Sequence, residues 1–309
     1  MRLLGLLLTV LVGSLAVFLV MKAAPGDPAV AVLGENARPE LVAAFREKHN
    51  LDQPLAVQYG RWLSGLFRGD FGSSLTVAGG REISGLIAAR LPNTLFVGVL
   101  ALVIAILLSL VAGTVAALWR GRLPDTIATS LAALGISMPD FWLSYILILA
   151  LALGLGWFPA YGFTTPSESM VGALYSGLLP ALAVAAPLAA VFSRTLRTSL
   201  VEASHRDYVV AARSFGFRPS FIFLHWIFRN ALIPYITIIG LQIRYILGGV
   251  VVIERIFGIA GIGSLMVDAA FARDYPVVQA CAVVFLVIVL SVNLLVDVVC
   301  SLLDPKRVR

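Results

Sequence analysis

Side chains able to do chemistry are few in this sequence, and their spacing argues against most enzyme classes. The histidines, His49, His205 and His225, and the cysteines, Cys281 and Cys300, show neither H-E-x-x-H nor C-x-x-C spacing, so no metal-ligand pattern is present. The only lysines are Lys22, Lys48 and Lys306 and none follows glycine, whereas a Walker A loop needs Gly-Lys-Ser/Thr to cradle phosphate. The Gly-x-Ser-x-Gly turn of a serine hydrolase is also missing. The chain is therefore expected to be no enzyme and to hold no metal or cofactor of its own. What remains is a basic stretch from Arg194 to Pro234 and three charges within apolar runs, Asp140, Arg244 and Asp297. An uncompensated ion in hydrocarbon costs roughly 2.5–3.5 kcal/mol even on the gentler insertion scale, so these charges are expected to face away from lipid.

Membrane helices must position these groups. The 309 residues are 60% hydrophobic and 13% charged, with a mean hydropathy of +0.95, against roughly 25% charged in a soluble domain. Runs long enough for a hydrocarbon core of ~30 Å lie at 3–21, 95–119, 127–156, 173–193, 234–253 and 277–302, which predicts an all-α membrane protein with six transmembrane helices. Leu3–Met21 exceeds the roughly 7–15 residues of a signal-peptide core, so residues 1–22 read as a first membrane helix. Segments 1–2, 120–125, 194–233 and 304–309 hold twelve Lys or Arg and four acids. The positive-inside rule assigns them, and both termini, to the cytoplasm. The net charge of +6 thus reports topology, and no nucleic-acid partner is expected. Cys281 and Cys300 would stand ~28 Å apart along one helix, too far for a disulfide.

Residues 23–93 form a hydrophilic segment expected outside the membrane, with amphipathic helical patches near 38–49 and 55–67 and an interfacial helix from Glu82 to Leu91. The remaining 94–309 make a core domain of five membrane helices. In its third span, Gly135-Ile136-Ser137-Met138-Pro139-Asp140 places proline at membrane depth, where it removes a donor and disrupts the helix. Such breaks mark paths in transporters or serve only as packing kinks, and both readings stand.

Within the basic stretch, Asp207 to Gly216 reads as a short helix. Asp207 suits the N-cap, Tyr208, Ala211, Ala212 and Phe215 are expected to share a face, Arg213 to face solvent, and Gly216 to take the left-handed closing position. Pro219 opens a second short helix carrying Phe221, Leu224 and Phe228, and Pro234 restarts the chain into the next apolar run. Paired alanines permit close approach of another surface, and the arginines suit acidic groups on it.

These residues, with Arg229-Asn230-Ala231-Leu232-Ile233-Pro234, resemble the EAA loop of ABC-importer permeases of the dipeptide, oligopeptide and nickel branch. Counting back from Gly216, the general motif's glutamate is replaced by Val210. The resemblance continues in Pro25-Gly26-Asp27-Pro28, Leu51-Asp52-Gln53-Pro54, Trp62-Leu63 and Gly69-Asp70-Phe71-Gly72, with Asn50 where that branch usually has glycine. It returns in Gly240-Leu241-Gln242, Gly248-Gly249, Glu254, Gly261-Ile262-Gly263 and Arg273-Asp274-Tyr275-Pro276, with Ala260 in place of a proline.

The resemblance implies a type I ABC-importer permease in a bacterial inner membrane, carrying peptides or a related small solute such as a nickel chelate, glycan or opine-like compound. It implies a homologous second permease, two ABC ATPase subunits that bind ATP and Mg, an extracytoplasmic substrate-binding protein and surrounding lipid. Coupling to the ATPases falls to loop 194–233, with Asp207, Tyr208, Ala211, Ala212, Arg213, Gly216, Arg229, Asn230 and Pro234. Ser137, Pro139, Asp140, Gln242, Arg244 and Glu254 are candidates for the translocation path, although relatives usually carry a small or uncharged residue at Arg244. An ion-coupled secondary transporter using Asp140, Arg244 and Asp297 is the competing reading.

Overall fold

The computed structural model describes residues 2–23, 27–34 and 36–303, and within the helices the side chains of residues 2–7, 31, 244, 247, 297 and 299–303 lie outside the described set. Among the described residues the secondary structure is helical apart from one isolated bridge between Ser73 and Glu82. The helices are α1 (Arg2–Ala23), α2 (Pro28–Leu33), α3 (Pro39–Lys48), α4 (Leu55–Phe67), α5 (Ile83–Leu118), α6 (Leu123–Ser137), α7 (Asp140–Leu147), α8 (Met170–Ser204), α9 (Asp207–Ser214), α10 (Pro219–Ile222), α11 (Arg229–Phe257), α12 (Ile262–Phe271) and α13 (Tyr275–Leu303). Wider π turns follow α7 over Ile148–Gly154 and join α10 to α11 over Phe223–Phe228.

Four helical stretches among the described residues are long and apolar enough to cross a membrane: Ile83–Leu118, Met170–Ser204, Pro219–Ile243 and Tyr275–Val296. Two bent pairs pass the same test together, Leu123–Ser137 with Asp140–Gly154 at 109° and Gly248–Phe257 with Ile262–Phe271 at 79°. The second pair was not expected from the sequence, while Leu8–Ala23 forms a shorter apolar helix. The expected interfacial helix at 82–91 is the first part of α5, which runs through Pro92 without a break. Proline removes only its own N–H, and the bonds of the flanking turns carry the helix past it.

The chain divides into two compact units, Met1–Thr94 with Ala260–Leu290, and Leu95–Ile259 with Ser291–Arg309, so part of the expected 94–309 core groups with the amino-terminal segment. In the first unit, Ile83, Ile262, Leu265, Val277 and Cys281 are buried together. The ring of Phe18 on α1 packs against Tyr59 and Trp62 of α4, at centroid distances of 5.4 and 5.9 Å. Asp274, fully buried, accepts bonds at Oδ2 from Ser74 Oγ (2.6 Å), Thr76 N (2.8 Å) and Val77 N (3.1 Å), which ties loop 74–77 to the turn before α13. Burial by itself pushes this carboxyl's pKa up, but the hydrogen bonds outweigh it and hold it below the usual range.

In the second unit α8 is the central element. Leu179, Val184, Leu188, Phe192, Leu196 and Leu200 are all buried along it. Its many alanines let neighbouring helices approach closely, as small residues do in membrane bundles, and α6, α7 and α11 all pack on it.

Candidate functional site

The polar stretch of the sequence becomes an almost continuous helical hairpin instead of a loop. Residues 194–204 prolong α8, α9 follows after His205 and Arg206, and from Pro219 the chain stays helical through Phe257. Pro234 lies inside α11 and does not restart it. Arg206, with extended backbone, is the N-cap of α9, which puts Asp207 in the first turn, where its charge favours the helix dipole. Gly216 has φ +77°, and the bonds Gly216 N to Arg213 O (3.0 Å) and Phe217 N to Ala212 O (3.3 Å) close the helix.

The inward face of α9 differs from the one its periodicity suggested. Val209 and Ala212 are buried, in one cluster with Leu200, Ala203, Ile222 and Ile227. Tyr208, Ala211 and Phe215 point outward instead, Phe215 with 81% of its surface exposed. Val210, Phe217, Phe221 and Leu224 are exposed beside them, and the Phe217 ring stacks on Phe221 at 5.6 Å. Asp207, Arg213, Arg229, Asn230 and Pro234 are exposed too, with Asn230 Nδ2 bonded to Trp226 O at 2.6 Å. An apolar surface of this size on a short helix rimmed by arginines has the character of a docking site.

This protrusion is tied to the rest of its unit by an ion pair. Arg197, on the part of α8 that leads into α9, donates from Nε to Asp125 Oδ1 at 2.6 Å and from Nη2 to Oδ2 at 2.8 Å. The Gly121 N–H gives Oδ2 a further bond at 2.9 Å. A bidentate Arg–carboxylate fixes both position and angle, so the turn at the start of α6 is held to α8.

At the other end of α6, Met138 and Pro139 have extended backbone and the helix axis turns through 109° into α7. Ser137 and Pro139 are exposed at this break, with Ser137 Oγ bonded back to Ala133 O at 2.9 Å. Asp140 is half-buried on the first turn of α7 and interacts with the Tyr245 phenol on α11. A Cβ on Gly249 would stand 2.8 Å from Asp140 Oδ2, so a larger residue there would make the Asp140 carboxylate shift. Gln242 lies half-buried on the same helix, and Glu254 is fully buried. The side chains of Arg244 and Asp297 lie outside the described residues. The sequence reading missed Tyr245, whose only signal was its place beside Arg244. It also missed Val209 as an anchor and the Asp125–Arg197 pair, which no local spacing reveals.

Comparison with known proteins accords with this geometry. Residues 105–309 match the binding-protein-dependent transport system inner membrane component family, and residues 1–98 match the amino-terminal family of such membrane components. The chain is 37% identical over 304 residues to the glutathione transport system permease protein GsiC of Salmonella paratyphi A, covering 98% of this chain and 96% of that protein. It is 38% identical over 296 residues to a putative peptide transport system permease protein of Brucella abortus, covering 96% and 94%. Among solved structures, the MetNI methionine ABC transporter in inward-facing conformations aligns with a TM-score of 0.57 at 14% identity, over 71% of this chain and 97% of that one. An amino acid ABC transporter crystallised with histidines gives 0.52 at 16% identity, over 70% and 92%. The chain belongs to the binding-protein-dependent transport system inner membrane component family, as an ABC-importer permease of the peptide branch.

Proposed function

We propose that this permease forms half of a translocation path for small peptides or a glutathione-like solute, together with a homologous second permease in a bacterial inner membrane. Two ATPase subunits lie on the cytoplasmic side, one of them gripping α9, and an extracytoplasmic binding protein delivers solute over residues 23–93, with both termini inside. The observation that carries this reading is the exposed face of Tyr208, Val210, Ala211 and Phe215, with Arg213 beside them, on a short helix closed by Gly216. The names of the relatives support a peptide-like solute. When the ATPases close on ATP, they would draw α9 with them, and the Arg197–Asp125 pair would pass that motion to the bent α6–α7 element. Ser137, Pro139, Asp140, Gln242 and Arg244 are assigned to the path, with Tyr245 and Gly249 shaping the surroundings of Asp140. The fully buried Glu254 is assigned a supporting role at the end of α11. Membership in a binding-protein-dependent family favours this reading over an ion-coupled transporter.

The test is association of the subunits. Phe215→Asp and Arg213→Glu should each weaken co-purification of the ATPases in detergent while the permease inserts normally. Unchanged co-purification of both variants would remove α9 from the interface.

A further inference from the structure

The first unit contains a cavity of about 530 Å³ that the transport reading does not use. This is within the roughly 300–1,000 Å³ of small-molecule sites. Its walls come from the carboxyl end of apolar α1, from the turn between α3 and α4 and one face of α4, and from the first turns of α13. Phe18, Met21 and Trp62 supply an apolar side, and Lys22 and Arg61 supply cations.

The charges there do not balance. Arg46 donates to Asp27 from both Nε and Nη2, the former at 3.1 Å, so those two cancel. Burial and the neighbouring Lys48 hold the His49 imidazole below its usual range. That leaves Lys22 and Arg61 against Asp52, an excess of one positive charge, and neither base makes an ion pair among the described residues. Lys22 closes the last turn of α1, and its Nζ lies 5.8 Å from the centre of the Phe18 ring. This cation thus sits at the end of an apolar helix, beside the Phe18 ring.

We propose that this cavity seats the headgroup of an anionic phospholipid, the phosphate on Lys22 and Arg61 and the acyl chains in the bilayer beside α1. The position at the end of an apolar helix favours lipid over a soluble anion, because a membrane supplies its headgroups at that level. An anionic headgroup there would meet the cations of Lys22 and Arg61 above an apolar floor of Phe18, Met21 and Trp62. The site would then lock α1, α4 and α13 together from the membrane boundary.

Native mass spectrometry of the full transporter, released from membranes containing phosphatidylglycerol and phosphatidylethanolamine, tests this. The wild type should retain one tightly held phosphatidylglycerol that Lys22→Gln/Arg61→Gln loses, with affinity falling about 5-fold per charge removed and on the order of 30-fold for both. Lys22→Arg should keep the lipid, and Arg120→Gln/Arg122→Gln, far along the chain, should leave it in place. Equal retention in wild type and the double glutamine variant would overturn the site. So would equal retention of the two lipids by the wild type. Binding of glycerol phosphate as tightly as of phosphatidylglycerol would assign the cavity to a soluble anion and overturn the lipid proposal. If Lys22→Arg loses the lipid as the glutamine variant does, charge recognition by Lys22 is refuted.

Discussion

Replacing Arg197 by alanine would leave the carboxylate of Asp125, whose side chain is 8% exposed, with only the Gly121 N–H of its present three hydrogen bonds. Breaking a buried pair from one side typically costs about 3–5 kcal/mol. Arg197 is 26% exposed, so water partly screens the pair and the cost is discounted below that range, to about 2–3 kcal/mol. At about 1.4 kcal/mol per decade, that multiplies the unfolded fraction roughly 30- to 150-fold. The assay is a double-mutant cycle with Asp125→Ala and Arg197→Ala, measured by SDS titration of the purified permease in mixed micelles with tryptophan fluorescence as readout. Because the two side chains act as a unit, the double variant should lose clearly less than the sum of the singles, with a coupling of at least ~1 kcal/mol. Strict additivity, or single variants within ~0.5 kcal/mol of wild type, would refute the pair as a clamp between α6 and α8.

Three further outcomes are expected. Gly216→Val forces a β-branched residue to φ +77° in otherwise open space, at about 1–2 kcal/mol; it should uncouple ATP hydrolysis from uptake about 10-fold while Gly216→Asn, which tolerates that region, changes little in the same vesicle assay. Because the folded-state pKa of Asp274 is depressed, its contribution is complete above the unfolded value of about 3.9 and is lost as pH falls through the lower folded value. Asp274→Asn should therefore be less stable at pH 7 by unfolding titration and should lack the wild type's decline at the acidic end of that range. A cysteine at the exposed Ser73 should react with a membrane-impermeant thiol reagent in intact spheroplasts; labelling only after lysis would invert the proposed topology.

Much of the helical pattern was legible because it is local. The amphipathic patches near 38–49 and 55–67 became α3 and α4 nearly residue for residue, with Pro39 opening the first and Pro54 capping the second, and the left-handed backbone at Asn50, φ 53°, suits a residue type that tolerates it. The break at Pro139 was likewise written in its own neighbourhood. The expected helix end at Leu91, just before Pro92, and the expected restart at Pro234 both failed because proline removes one donor, and whether the helix continues depends on flanking turns that composition does not show. The face of α9 misled for another reason. Tyr208 and Phe215 are the larger apolar residues, but the neighbouring cluster around Leu200, Ala203 and Ile222 receives the compact Val209 and Ala212 and leaves the aromatics outside. α9 carries two apolar faces, one buried and one exposed, and periodicity alone does not rank them. Asp125 with Arg197, and Ser74 with Asp274, join residues 72 and 200 positions apart, beyond the reach of any local spacing.

Solute uptake into vesicles holding the complete transporter measures the proposed function most directly. With its second permease, ATPases and binding protein in place, accumulation of a radiolabelled small peptide or glutathione should require ATP on the ATPase side and the binding protein on the other, and should survive collapse of proton and sodium gradients. Uptake by this chain without ATPases, driven by an imposed ion gradient and abolished by Asp140→Asn, would contradict it.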